Sequence, residues 1–372
     1  MKKKLQVLIS MLVLASMVLV AFVPVAAQDA APPATLDAGY AALLGSMVGY
    51  NTVKAEGLLV EMGSDAPPFL LDVRTTAELE EGGHIEGAVH IPLNELAQNL
   101  DLLPAFDTPI VAYCGSGWRA TIAMTVLEGM GWTEVRALKT AFADLAAAGI
   151  TIVEGVPEAV ALNAAEPNAD VVSAVDAALA AYGVKPFGVV DAEGLNTALF
   201  EDPGMTVIDV RRTDEWVSKG VVDTGDAALV QIPLERFVAQ MANWPADKDA
   251  HVVVYCGSGH RSTMAMAILW SYGYTNVSSL KGGFGGWAEG GYAVAEYAAP
   301  DLATPYSAML AGMDHYNTIS ADVLLEEMAT DAPPFLLDVR TTAELEEGGH
   351  IEGAAHAPLN QLGANLNLLP AF

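Results

Sequence analysis

The stretch Val111-Ala-Tyr-Cys114-Gly-Ser-Gly-Trp-Arg119-Ala-Thr121 returns later in the chain as Val253-Val-Tyr-Cys256-Gly-Ser-Gly-His-Arg261-Ser-Thr263, and the chain has no other cysteine. An apolar run rich in β-branched residues precedes each Cys, as in a buried strand, and a helical pattern follows each Arg, Ala120 to Met130 and Ser262 to Tyr272. Each copy therefore reads as strand, glycine-rich turn and helix N-terminus. The N–H groups of such a turn have no intrahelical partners, and with the helix dipole they form an anion site. The anion can be the cysteine sulfur itself, which makes Cys114 and Cys256 candidate thiolate nucleophiles. Gly115, Ser116, Gly117, Trp118 and Arg119, and likewise Gly257, Ser258, Gly259, His260 and Arg261, become the candidate substrate-binding loops. A cysteine after an apolar strand can also be a small buried hydrophobe. Two copies in one motif, with none elsewhere, argue against that reading.

The Cys-x-x-Gly-x-Arg loop after a Val-rich strand resembles the active-site loop of the rhodanese (thiosulfate/mercaptopyruvate sulfurtransferase) family. Further stretches fit that resemblance: Leu70-Leu-Asp72-Val-Arg74, Val207-Ile-Asp209-Val-Arg211 and Leu336-Leu-Asp338-Val-Arg340. Gly83-His-Ile-Glu-Gly-Ala88 is similar to the family's first signature, and Leu280-Lys-Gly-Gly-Phe-Gly-Gly-Trp287 to its closing one. The resemblance implies an α/β fold of repeated domains, each a mostly parallel sheet flanked by helices. It implies sulfur transfer through a cysteine persulfide, with no metal and no organic cofactor. The donor would be a small anion, thiosulfate or 3-mercaptopyruvate, and the acceptor a thiol, cyanide or a sulfur-carrier protein. Thiosulfate is the favoured donor, because the mercaptopyruvate enzymes continue Cys-Gly-Ser-Gly with Val-Thr where this chain has Trp-Arg or His-Arg.

An internal repeat organises the chain. Asp65 to Ala88 recurs unchanged from Asp331 to Ala354, and Leu36 to Phe106 aligns without gaps onto Leu302 to Phe372. The expected division is a first domain over 36–155, a linker over 156–169, a second domain over 170–297, and a truncated third repeat over 301–372 that lacks a Cys loop. About 120 residues suffice for a domain with its own core. Strands such as Pro68 to Val73, Pro109 to Tyr113 and Glu134 to Leu138 alternate with helical patterns, which argues independently for an α/β domain with its ligand site at the strand carboxyl ends.

Residues 1–27 read as an export signal or an N-terminal anchor: three lysines, an apolar run from Leu5 to Val23, and Val25-Ala-Ala27 as a cleavage site. The expected location is periplasmic or extracellular. The net charge is −29, and since the leader holds three Lys and no acid, the remainder carries −32. Such a surface argues against nucleic acid and against anionic lipid as partners. It also repels an anionic donor, so local groups in the loop must hold it.

The copies differ in what they keep. Repeat one has the Gly-His-Ile signature, but its closing segment is Leu138-Lys-Thr-Ala-Phe-Ala-Asp-Leu145, without the paired glycines or the Trp. Repeat two keeps the closing segment and replaces the Gly-His-Ile signature by Lys219-Gly-Val-Val-Asp-Thr-Gly-Asp226. Inside the loops only Trp118 and His260 differ. They stand just before the Arg, either lining the pocket mouth, where His260 can titrate near neutral pH and Trp118 offers an apolar wall, or as exposed loop residues free to vary. Asp72, Arg74 and His84 are expected to tie the sheet to the loop. Two other classes stay open, a non-catalytic persulfide carrier or sensor and a Cys-based phosphatase or arsenate reductase. Four residues separate Cys from Arg here, against five in the phosphatases this fold resembles, which favours a sulfane sulfur over a phosphate.

Overall fold

The computed structural model describes residues 32–182, 188–297, 318–330, 333–359 and 362. The leader, the start of the third repeat and its last residues lie outside these.

Repeat one runs α1 (Leu36–Ser46), β1 (Thr52–Val53), α2 (Ala55–Met62), β2 (Phe69–Asp72), α3 (Thr76–Gly82), β3 (His84–Ile85), β4 (Val89–His90), β5 (Ile110–Tyr113), α4 (Trp118–Met130), β6 (Val135–Leu138), α5 (Phe142–Leu145) and β7 (Ile152–Val153). Its sheet has the order β1-β6-β5-β2-β4, and every pairing in it is parallel. The Cys-bearing strand β5 is central and buried along its whole length, which is why it is written as an apolar run rather than as an alternating one.

Repeat two follows as α6 (Ala169–Tyr182), β8 (Val189–Val190), α7 (Ala192–Glu201), β9 (Thr206–Asp209), α8 (Thr213–Lys219), β10 (Val221–Val222), β11 (Ala228–Gln231), β12 (Val252–Tyr255), α9 (His260–Ser271), β13 (Val277–Leu280), α10 (Gly283–Glu289) and β14 (Val294–Ala295). Its sheet, β11-β9-β12-β13-β8, is again wholly parallel with the Cys strand at the centre. Antiparallel pairs β3–β7 and β10–β14 close the two repeats. Residues 156–168 hold no helix or strand, although Leu162 and Asn163 donate backbone bonds to the Asp101 carbonyl.

Each repeat keeps an apolar core of its own, around Leu58 and Val111 in the first and Leu195 and Val253 in the second, and the two share a larger one. Helices α4 and α9, which follow the two Cys loops, pack on each other. One continuous apolar cluster joins Ile122, Val126 and Met130 of α4 to Met264, Ile268 and Leu269 of α9. Tyr40 and Ser271 bridge the repeats by a buried hydroxyl–hydroxyl bond of 2.6 Å. Tandem loops followed by apolar helices are thereby turned toward one shared face.

The third repeat shows α11 (Ala321–Met328), a parallel pair β15 (Leu337–Asp338) and β16 (Ala355–His356), and α12 (Thr342–Gly348). Among the described residues no strand pairs with the other edge of β15.

Candidate active site

Each helix after a Cys loop begins two residues earlier than its pattern suggests, at Trp118 and His260. The cause is the glycine before it. Gly117 and Gly259 are N-caps in the left-handed region, with φ of 88° and 109°, a turn only glycine makes without strain. The turn folds the chain back over the cysteine, so that Gly117 N–H donates to Cys114 Sγ at 3.2 Å and Gly259 N–H to Cys256 Sγ at 3.1 Å. Both cysteines are about as buried as any core residue, each 1% exposed, whereas Ser116 and Ser258 at the loop tips are exposed. The sulfur thus sits at the carboxyl end of the central strand, under a backbone donor of the loop.

Each loop arginine is engaged by a glutamate of its own repeat. Arg119 holds Glu78 through both terminal guanidinium nitrogens (2.6 and 2.5 Å), and Arg261 holds Glu215 in the same way (2.6 and 2.8 Å). Each pair lies against the first loop glycine: a β-carbon on Gly115 or Gly257 would come within 3.5 Å of both the guanidinium and the carboxylate. Glu78 is the third residue of α3 and reaches back to the Thr75 N–H in a capping box. Burial works against its charge, but Arg119 and Thr75 outweigh it and bring its pKa down to about 2. The Arg therefore clamps the loop to the preceding helix, and its charge is largely neutralised.

Asp72 and Arg74 form a buried pair, and Arg74 also donates to the Gly83 carbonyl and lies over the Phe142 ring at 3.6 Å. Asp209 and Arg211 repeat the arrangement with Gly220 and Phe284. These pairs, with His84 on the Gly155 carbonyl at 2.9 Å, tie strand, loop and closing segment together.

A model of the rhodanese-like domain matches residues 55–148 and 192–290, more than half of the chain and both Cys loops. The chain belongs to the rhodanese-like family. It is 35% identical over 102 residues to a sulfurtransferase of Allochromatium vinosum, spanning 27% of this chain and 89% of that one. It is 41% identical over 73 residues to an uncharacterised protein of Bacillus subtilis, spanning 20% and 56%. Among solved structures, a thiosulfate sulfurtransferase of Pseudomonas aeruginosa aligns at 23% identity with a TM-score of 0.28; the alignment covers 85% of this chain and 59% of that one.

The two rhodanese-like domains hold their sulfurs differently. In the second, Ser262 Oγ lies 3.5 Å from Cys256 Sγ and accepts from Ser279 at 2.8 Å. Ala120 and Ala137 occupy these places in the first. The closing segments differ for a steric reason. Gly283 has φ of 56°, and a β-carbon there would overlap the Cys256 carbonyl oxygen and come within 2.7 Å of Ser258 N. Glycine lets the segment close in, with Phe284 N–H on the Cys256 carbonyl (2.6 Å) and Gly285 N–H on Gly257 (3.0 Å). In the first domain Ala141 stands at that place, and a single bond, Phe142 N–H to the Gly115 carbonyl, is made instead.

Trp118 and His260 both reach across to the other repeat. The Trp118 ring packs on Gly259 of the other loop, where a β-carbon would lie 3.0 Å from its Cζ3. His260 Nε2 faces the Tyr50 carbonyl and Nδ1 the Thr121 hydroxyl, each at 2.9 Å. Since a carbonyl only accepts, Nε2 carries the proton, and the Thr121 hydroxyl has one proton to share between Nδ1 and the Gly117 carbonyl, also at 2.9 Å. Burial, followed by the charge of Lys139, pushes the His260 pKa down to about 4, so it does not titrate near neutrality. Sequence reading considered both residues only within their own loops, because nothing in either repeat alone says that the loops face each other.

Tyr50 marks the same junction. It lies between Gly49 and Asn51 in three successive left-handed residues (φ of 57°, 57° and 49°), a costly conformation outside glycine. Asn51 holds it there by donating to the buried Glu128, whose pKa burial raises to about 8. The Tyr50 ring then sits 5.3 Å from the Arg261 guanidinium. Of the residues the sequence reading passed over, Ser262 had a signal: it is the first position after the loop where the two copies exchange a polar residue for alanine.

Proposed function

We propose that the chain is a sulfurtransferase in which Cys256, and to a lesser degree Cys114, carries a sulfane sulfur. The observation that carries this reading is a buried cysteine sulfur under the Gly259 N–H and beside the Ser262 hydroxyl, in a loop of four residues between Cys and Arg. The Cys256 thiolate attacks the outer sulfur of thiosulfate. The sulfur–sulfur bond of the donor breaks, its electron pair leaves with sulfite, and Cys-S-S⁻ remains under the loop donors. A thiolate or cyanide then attacks the terminal sulfur and restores the thiolate. The lysine-led apolar leader supports an exported location, where the persulfide is the resting form of an otherwise oxidisable thiol.

The test is the intact mass of the full chain after thiosulfate, then after cyanide. The expected result is a gain of sulfur that cyanide removes. It persists in large part in Cys114→Ser, falls in Cys256→Ser and disappears in the double variant. Sulfur uptake by the double variant, or none by the wild type, overturns the reading.

A further inference from the structure

With Arg119 and Arg261 each tied to a glutamate, a doubly negative donor approaching Cys256 meets no uncompensated cation from its own loop. The protein as a whole, at −29, repels it. A local positive charge is required, and repeat two does not supply it from the loop.

Repeat one does. Lys139 follows β6, and its backbone N–H donates to the Val53 carbonyl at 2.9 Å. Its Cα packs beside Gly117, 3.5 Å from where a β-carbon would stand, and the next residue of that loop, Trp118, is the one seated on Gly259. The side chain therefore emerges at the junction where the two loops meet. It is partly open to solvent, and among the described residues no carboxylate pairs with its ammonium. The charged groups that act on it are Cys256, Arg261 and Lys54. Burial, then Arg261 and Lys54, push its pKa down, while Cys256 draws it up, so an anion arriving beside it relieves an uncompensated charge.

We propose that Lys139 of the first domain is the anion-binding residue of the Cys256 site, so that the second sulfur site takes its donor at a junction built by both domains. The closing segment that lost its glycines in repeat one thus keeps a task, directed at the other repeat's cysteine. Of the two cations that act on Cys256, Arg261 is paired with Glu215, and Lys139 has no ion-pair partner among the described residues. The inference rests on the sulfur-transfer reading for the identity of the donor, but the placement of the charge is testable without it.

The experiment uses the full chain in a Cys114→Ser background and compares Lys139→Met with Lys139→Arg. Cys256 is alkylated with anionic iodoacetate and with neutral iodoacetamide. The rate ratio of the two reagents is expected to fall roughly tenfold in Lys139→Met and to be largely restored in Lys139→Arg. The second-order rate of sulfur loading from thiosulfate is expected to fall by a similar factor and to lose its dependence on ionic strength. An unchanged alkylation ratio in Lys139→Met overturns the inference. A ratio that falls in a protein taking no sulfur from thiosulfate overturns the sulfur-transfer reading and leaves the charge assigned to Lys139.

Discussion

Ser262 Oγ lies 3.5 Å from Cys256 Sγ, and it is 2.9 Å from the Gly259 carbonyl oxygen. The hydroxyl has one proton to share between them. Ionisation of the sulfur draws that proton toward it, and Ser279, donating from behind at 2.8 Å, reinforces the shift. Replacing Ser262 by Ala is expected to slow sulfur loading at Cys256 about fivefold, the equivalent of about 1 kcal/mol for a hydrogen bond to sulfur. The Cys114-dependent activity, measured in Cys256→Ser, should not change when Ser262 is replaced.

Gly283→Ala should be more damaging. The added carbon meets backbone atoms of Cys256, Gly257 and Ser258, which have no flexible end to yield, and φ of 56° adds strain. The expected outcome is loss of most Cys256-dependent sulfur loading with a lowered Tm, both measured on the same preparation. Gly87→Ala, at φ of 81° with nothing within 4 Å, should cost only the backbone strain and leave loading intact.

Asp209→Asn removes half of an ion pair whose two side chains are each 0% exposed. Stranding Arg211 in the core is expected to cost about 3–5 kcal/mol, read as a large fall in the midpoint of urea unfolding. Asp338→Asn, in the same local motif but with Arg340 40% exposed, is expected to leave the midpoint in place.

The His260 junction should weaken in acid. Its pKa is about 4 in the folded chain and near 6.5 unfolded. Between those values the unfolded chain binds a proton that the folded chain does not. Stability contributed by the neutral imidazole is therefore complete above about pH 6.5 and is lost as pH falls toward 4. The expected difference is about 2–3 kcal/mol. Subtracting the stability curve of His260→Asn from that of the wild type isolates it, and a flat difference between pH 7 and pH 4 would contradict the assignment.

The central strands, the glycine turns and the cysteines at their ends were legible in the chain because their causes are local. Apolar runs specify buried parallel strands, and a left-handed turn demands glycine at Gly117 and Gly259. The roles of Arg119, Arg261, Trp118 and His260 were not legible. Glu78 and Glu215 lie in the same repeat as their arginines but far along the chain, and meet them only when each domain folds, whereas Gly259 and Tyr50 belong to the other repeat and are met only when α4 and α9 pack together.

Residues 65–88 and 331–354 separate the two kinds of information, since their sequences are identical. Both copies make the same short-range bonds. Thr75 with Glu78 and Thr341 with Glu344 form the same capping box. Arg74 and Arg340 each grip the aspartate two residues before them and the glycine carbonyl nine residues after. The sequence alone determined these, because every partner lies within ten residues. Burial does not follow: Val73 is 1% exposed and Val339 39%, Ile85 0% and Ile351 48%. In repeat one, β5 pairs along β2 and carries α4 over the sheet, and no such strand stands beside β15 among the described residues. Strand pairing and burial depend on distant chain arriving at the edge, and that was decided only by the tertiary structure.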